Sequence, residues 1–168
     1  LMLPLNGTPT FAVGERRLLM TREEERNCSK GFWCTEGLEV PCENGYYNPM
    51  PMRSDQTACI KCPDWSSTPY QGAVEQLECL CNAGYYDADM STSVECRICP
   101  SGTRCSEPGA TLLALPVYRG YYRHSDRAVD VWRCPGGAKS GCRGTVAGGA
   151  KCFEGLSGVF CRQCAEQL

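Results

Sequence analysis

Fifteen cysteines in 168 residues are the side chains of this sequence with the most chemistry to offer. A thiolate can hold a metal, exchange a disulfide or attack an electrophile, whereas an oxidised pair simply staples the chain. Three C-x2-C pairs, Cys59/Cys62, Cys96/Cys99 and Cys161/Cys164, have the spacing that puts two thiolates on one zinc ion. The other cysteines come singly or as a Cys-x-Cys step (Cys79, Cys81), and the only histidine is His124. A zinc-binding module therefore stays a minor alternative, and no metal ligand is assigned. A thiol oxidoreductase would open a helix with its C-x2-C, which lowers the thiol pKa. Here Pro63 and Pro100 directly follow two of the pairs, and the third lies near the end of the sequence.

Other catalytic chemistry fares no better. A Ser-His-Asp arrangement would have to use His124 with Ser125 and Asp126 beside it, and sequence neighbours do not converge as a triad requires. Asp87, Asp89 and Glu95 are too scattered for an ordered calcium cage and read as a wet strand face. No catalytic residue and no cofactor is assigned, so the chain is read as not an enzyme. The net charge of −2 provides no basic field for nucleic acid. The longest uninterrupted apolar run, residues 112–117, is six residues with Pro116 inside it, against the ~20 needed to span a membrane.

Residues suited to contact are better represented. Between positions 117 and 133 stand Tyr118, Arg119, Tyr121, Tyr122, Arg123, His124, Arg127, Trp132 and Arg133. Tyr, Trp and Arg are the types enriched at binding hot spots. The pattern predicts a hairpin: a strand over 117–123, a polar turn over 124–127 and a second strand over 128–134. Its aromatics can serve as lids over cystines. Alternatively Tyr118, Arg119, Tyr121, Tyr122, Arg123, Trp132 and Arg133 form a face for a protein partner or a glycan.

The elements that must position these residues are small. Eighteen Gly and eleven Pro break up long helices, and aromatics are only 9% of residues, so one large core is not expected. Modules of this kind rely on bridges worth ~2–5 kcal/mol each. Such a cysteine density points to an oxidising compartment, because cytosolic reductants keep thiols open. Two glycosylation acceptor sites, Asn6-Gly-Thr and Asn27-Cys-Ser, agree with that. Residues 16–26 are charged and free of Gly and Pro, which predicts a short helix in an N-terminal arm. The sequence opens on Leu1 without an initiator Met or signal peptide, so the expectation is a longer parent protein.

From Cys28 the sequence repeats itself. Cys42-Glu-Asn-Gly45-Tyr46-Tyr47 leads to Cys59-x2-Cys62-Pro63, and Cys81-Asn-Ala-Gly84-Tyr85-Tyr86 leads to Cys96-x2-Cys99-Pro100, an offset of 39 residues. Cys28-x2-Gly31-x2-Cys34 recurs as Cys99-x2-Gly102-x2-Cys105, and Gly120-Tyr121-Tyr122 repeats the aromatic pair without its cysteine. Glycine after each cysteine permits a turn with positive φ. The Tyr pair then starts a short strand, one ring covering a bridge and the other facing out.

These motifs resemble the ephrin-receptor-like cysteine-rich repeat, itself similar to the tumour-necrosis-factor-receptor cysteine-rich domain, over about Cys28 to Cys105. The tail, Cys152-Phe-Glu-Gly155-Leu-Ser-Gly158-Val-Phe-Cys161, resembles the closing loop of an EGF or laminin-type EGF module, with Leu156 where an aromatic is usual. The resemblance implies local pairing of Cys28 with Cys34, Cys42 with Cys59, Cys62 with Cys79, Cys81 with Cys96 and Cys99 with Cys105. Cys134 with Cys142 and Cys152 with Cys161 follow, and Cys164 is left unpaired or bonded to an external partner.

The expected fold is small and disulfide-rich: an elongated array of short β-hairpins and irregular loops with little helix. The expected organisation is an arm (1–27), a first repeat (28–80), a second repeat (81–105), the aromatic-basic hairpin segment (106–134) and a partial EGF-like cap (135–168). The resemblance implies a non-catalytic extracellular or cell-surface module, the stem of a larger surface protein of the kind found in protists and algae. It would be attached to a membrane protein or complex although it contains no span itself. The alternative is a structural accessory subunit docked on the lumenal side of a multi-subunit membrane complex, in an oxidising organelle.

Overall fold

The structure, a computed structural model, describes residues 28–89, 92–145, 149 and 151–165. The arm, its expected helix, and the acceptor sites Asn6 and Asn27 lie outside the described residues. Strands of two to four residues form successive small sheets. Strands β1 (Phe32–Thr35) and β2 (Leu38–Pro41) form the first hairpin, β3 (Tyr46–Tyr47) and β4 (Ile60–Lys61) the second, and β5 (Ser66–Ser67) and β6 (Leu80–Cys81) the third. Strand β7 (Tyr85–Asp87) lies between β8 (Cys96–Ile98), antiparallel, and β9 (Ala110–Thr111), parallel. Hairpins β10 (Tyr121–Arg123) with β11 (Val131–Arg133) and β12 (Leu156–Ser157) with β13 (Gln163–Cys164) follow. Among the described residues the helical structure is three-residue 3-10 turns.

One local device recurs along this series. In Cys42-x-x-Gly45 the Tyr46 N–H donates to the Glu43 carbonyl (3.0 Å) with Gly45 at φ +86°. Tyr85 does the same to Asn82 (3.0 Å) across Gly84 at φ +88°, and Tyr121 to Tyr118 (3.1 Å) across Gly120 at φ +85°. A turn whose third residue needs positive φ selects glycine there. Cys62-Pro-Asp-Trp65 makes the same turn, Ser66 to Pro63 at 3.1 Å, but Trp65 itself takes φ +64°.

After each Gly-Tyr-Tyr the chain returns in one register. The N–H of Cys62 donates to Gly45 (2.8 Å), that of Cys99 to Gly84 (3.0 Å) and that of Cys134 to Gly120 (2.8 Å). Likewise the N–H of Gly84 reaches Cys105 (2.7 Å) and that of Gly120 reaches Cys142 (3.1 Å). The Gly120-Tyr-Tyr hairpin thus repeats the geometry of the Gly84-Tyr-Tyr one, with Val117 at the position Cys81 occupies. The bridge Cys134–Cys142 joins residues on either side of the expected 134/135 boundary.

Seven bridges join Cys28–Cys34, Cys42–Cys59, Cys62–Cys79, Cys81–Cys96, Cys99–Cys105, Cys134–Cys142 and Cys152–Cys161. These coincide with the pairs the repeat resemblance implies. Cys164 is free and exposed. The core is divided among the bridges: one cluster holds Cys62, Cys79, Cys81 and Val94, another Tyr86, Cys105, Leu112 and Leu115, and a third Cys134, Cys142 and Cys161. The second tyrosine of each pair (Tyr47, Tyr86 and Tyr122) packs into these clusters. Among the described residues no helix is long and apolar enough to cross a membrane.

Candidate interaction surface

The aromatic-basic segment is shorter as a hairpin than its composition predicts. The turn at Tyr118–Tyr121 ends the expected first strand, so only Tyr121–Arg123 pairs with Val131–Arg133. Val117 instead bridges Thr103 on one side and Thr145 on the other. In register, Tyr122 stands across from Trp132, and Tyr121 across from Arg133. Directly opposite residues share a sheet face. Tyr122 is half-buried, its ring 5.5 Å from that of Phe160 and packed on the Cys134–Cys142 cluster. Trp132 prolongs that anchored aromatic row into solvent, at 58% exposure.

The seven contact candidates divide accordingly. Tyr118, Arg119, Trp132 and Arg133 are exposed, while Tyr121 and Tyr122 are half-buried. Arg119 lies over the Phe153 ring, 5.0 Å from its centroid, a cation–π geometry that holds the guanidinium in place.

Arg123 is a correction: it is 5% exposed and cannot be offered to a partner. Its guanidinium donates to the carbonyls of Leu112 (2.5 Å), Leu115 (3.4 Å), Ala128 (2.7 Å) and Asp126. Loss of hydration pushes its pKa below the ordinary arginine value. The physical reason for the misassignment is that a lone arginine on a strand reads as solvated, whereas here the loop 112–115 closes over it.

A second aromatic platform has no counterpart among the sequence expectations. Trp65 stacks on Tyr85 with ring centroids 4.9 Å apart and planes 8° from parallel, and exposed Ile98 lies across the strand pair from Tyr85. The signal available in the sequence is Trp65 at the position where the repeat otherwise puts glycine.

The chemical alternatives can now be placed. In two C-x2-C pairs the cysteines go to different partners, Cys59 to Cys42 and Cys62 to Cys79, then Cys96 to Cys81 and Cys99 to Cys105. In the third Cys161 is bonded to Cys152 and only Cys164 is free, so the zinc alternative loses its thiolate pairs. Cys28, Cys34 and Glu39 lie within metal-ligand distance, but the two sulfurs are bonded to each other and Glu39 accepts the Ser29 N–H at 2.6 Å. His124 is exposed, and its carbonyl accepts Lys151 Nζ at 2.9 Å. Asp87 and Glu95 are not a scattered strand face. Asp87 Oδ1 accepts the N–H groups of Asp89 (3.2 Å) and Glu95 (3.0 Å), closing a loop, and Glu95 pairs with Arg97 at 2.7 Å.

The fold is that of a cysteine-rich repeat module, short hairpins strung along a ladder of bridges. Residues 31–79 match the family described as tyrosine-protein kinase ephrin type A/B receptor-like. Within that segment lie the first two hairpins, strand β5 and the bridges Cys42–Cys59 and Cys62–Cys79. The chain is 28% identical over 81 residues to cysteine repeat modular protein A of Toxoplasma gondii, covering 45% of this chain and 3% of that protein. It is 31% identical over 77 residues to the sushi, von Willebrand factor type A, EGF and pentraxin domain-containing protein 1 of Mus musculus, covering 44% of this chain and 2% of that protein. It therefore matches only a small part of each relative's length. No solved structure matches. The relatives are named as modular proteins and not as enzymes, and the bridges place the chain in an oxidising environment.

Proposed function

We propose that this chain is a non-catalytic, extracellular protein-interaction module, part of the stem of a larger surface protein, with an EGF-like unit closing it after Cys152. One observation carries the reading: Trp132 is 58% exposed on a strand locked by Cys134–Cys142, across from a tyrosine packed on cystines. A large aromatic on a rigid base loses little conformational freedom on binding, which is what makes such residues hot spots. Arg133, next along the strand, is a candidate rim contact, Tyr118 and Arg119 are further contact candidates, and Asn6 and Asn27 remain proposed glycan carriers. Cys164, exposed, is a proposed attachment point for an external thiol.

The test is site-specific photo-crosslinking in the full-length parent protein on its own cells. A benzophenone side chain at position 132 should give a discrete adduct with another polypeptide, and one at exposed position 38 of the first hairpin should not. Absence of an adduct at 132, or equal yields at both sites, overturns the reading.

A further inference from the structure

Three arginines from three separate segments meet around one hollow of about 410 Å³: Arg104, Arg119 and Arg143. The backbone brings them together. Arg104 N–H donates to Pro116 O (2.9 Å) and Tyr118 N–H to Gly102 O (2.8 Å), while Val117 and Thr145 exchange bonds of 2.9 and 3.0 Å. The antiparallel register of the Val117–Thr145 bridge puts Arg143 across from Arg119. Gly144 permits that approach, since a Cβ there would sit 2.5 Å from the Val117 carbonyl.

Like charges facing each other across a strand pair are destabilising unless a counter-charge sits between them. Among the described residues none is supplied. The described residues lining the hollow contribute no carboxylate. Among the described residues the ion pairs are Arg97–Glu95 and Lys151–Asp126, which involve none of the three. All three arginines are exposed, and Arg119 is held over Phe153. A chain with net charge −2 thus concentrates three forked donors at one place.

The geometry points to a binding site for a sulfated oligosaccharide. Guanidinium forks match the oxygens of a sulfate two at a time. The hollow is far larger than one oxyanion, and Tyr118 on its rim is 49% exposed, an aromatic face against which a sugar ring can stack. An extended acidic peptide fits less well. The backbone groups of Val117 are bonded to Thr145, and the N–H groups of Arg104 and Tyr118 are also taken, so no free strand edge remains for it to add to. The inference needs the module to face the extracellular space, as proposed above. It does not need the Trp132 contact.

The experiment measures binding of the disulfide-intact chain to immobilised heparin, to chemically desulfated heparin and to poly-glutamate, with inorganic phosphate as a competitor. Heparin should bind, and desulfated heparin should not. With three phosphate-like contacts the affinity should fall roughly 20-fold between 50 and 200 mM salt, by counterion release from a polyanion. The triple variant Arg104→Gln, Arg119→Gln, Arg143→Gln should lose at least tenfold. The corresponding Lys triple, which keeps the charge without the fork, should lose severalfold, and Arg127→Gln should be unchanged. Equal binding to poly-glutamate, displacement by low-millimolar phosphate, or unaltered heparin affinity in the Gln triple overturns the proposal. Trp132→Ala should leave heparin binding intact, and the Gln triple should leave the crosslink from position 132 intact, so the two readings fail separately.

Discussion

Replacing Arg123 by methionine removes a buried cation while roughly keeping its volume. Four carbonyls lose their donor, and the bonds to Leu112 and Leu115 are fully buried. A buried acceptor left without a partner costs about 1–3 kcal/mol, so those two alone amount to about 2–6 kcal/mol. Against this, the variant no longer desolvates a charge whose pKa burial already depresses. A net loss of about 3 kcal/mol is expected, comparable to deleting one bridge. In a string of small modules the loss is local, so the assay is native-state hydrogen exchange over residues 112–131 under non-reducing conditions. Protection should fall there while the first repeat is unaffected. Arg127→Met, on an exposed side chain, should change protection by no more than about 0.5 kcal/mol. If Arg123→Met behaves like Arg127→Met, the buried-guanidinium account is wrong.

Four further outcomes come from the turns and the loop chemistry. Trp65 holds φ +64° and a ring stack at once, so Trp65→Ala, which keeps the backbone strain and drops the stack, should be about 1–2 kcal/mol less stable than Trp65→Gly by denaturant midpoint. Gly84→Ala, with nothing within 4 Å of the added carbon, should lose only about 1–2 kcal/mol for its positive φ. Gly31→Ala would place that carbon 2.1 Å from the Gly72 carbonyl, and non-reducing mass mapping should find mispaired bridges in its first hairpin. The phenol of Tyr70 first, and then the N–H groups of Glu75 and Val74, hold the Glu78 carboxyl below its usual range. A depressed folded pKa contributes stability above the unfolded value of about 4.3, lost as pH falls through the folded value. Exchange protection at Val74 and Glu75 should therefore drop below about pH 4, and Glu78→Gln should abolish that pH dependence.

Much of the candidate site is legible in the sequence as composition and little of it as placement. The Tyr, Trp and Arg content of residues 117–133 marks a contact-rich segment, and the repeated Gly-Tyr-Tyr marks the turns. Hidden from sequence is which way each side chain faces. Tyr122 and Trp132 share a sheet face, yet Phe160, 28 residues beyond Trp132, covers only the first. Arg123 and Arg133 are both arginines on short strands, but only Arg123 lies under the 112–115 loop. The three-arginine hollow is invisible for the same reason: Arg104, Arg119 and Arg143 share no motif and meet only through the isolated bridges of Val117 to Thr103 and Thr145.

By itself the sequence determined that the chain is a disulfide-stapled series of short hairpins. Cysteine density, Pro after C-x2-C and glycine three residues after cysteine are local constraints, acting through covalent bonds and φ angles over a few residues. Tertiary structure decided the rest. Whether an arginine is a contact, a buried tie or part of a cationic cluster depends on what packs over it. In a chain whose cores are cystines, that covering comes from loops outside the strand itself, 8–11 residues away at Arg123 and 38 at the Tyr122–Phe160 contact, where no periodicity or propensity reports on it.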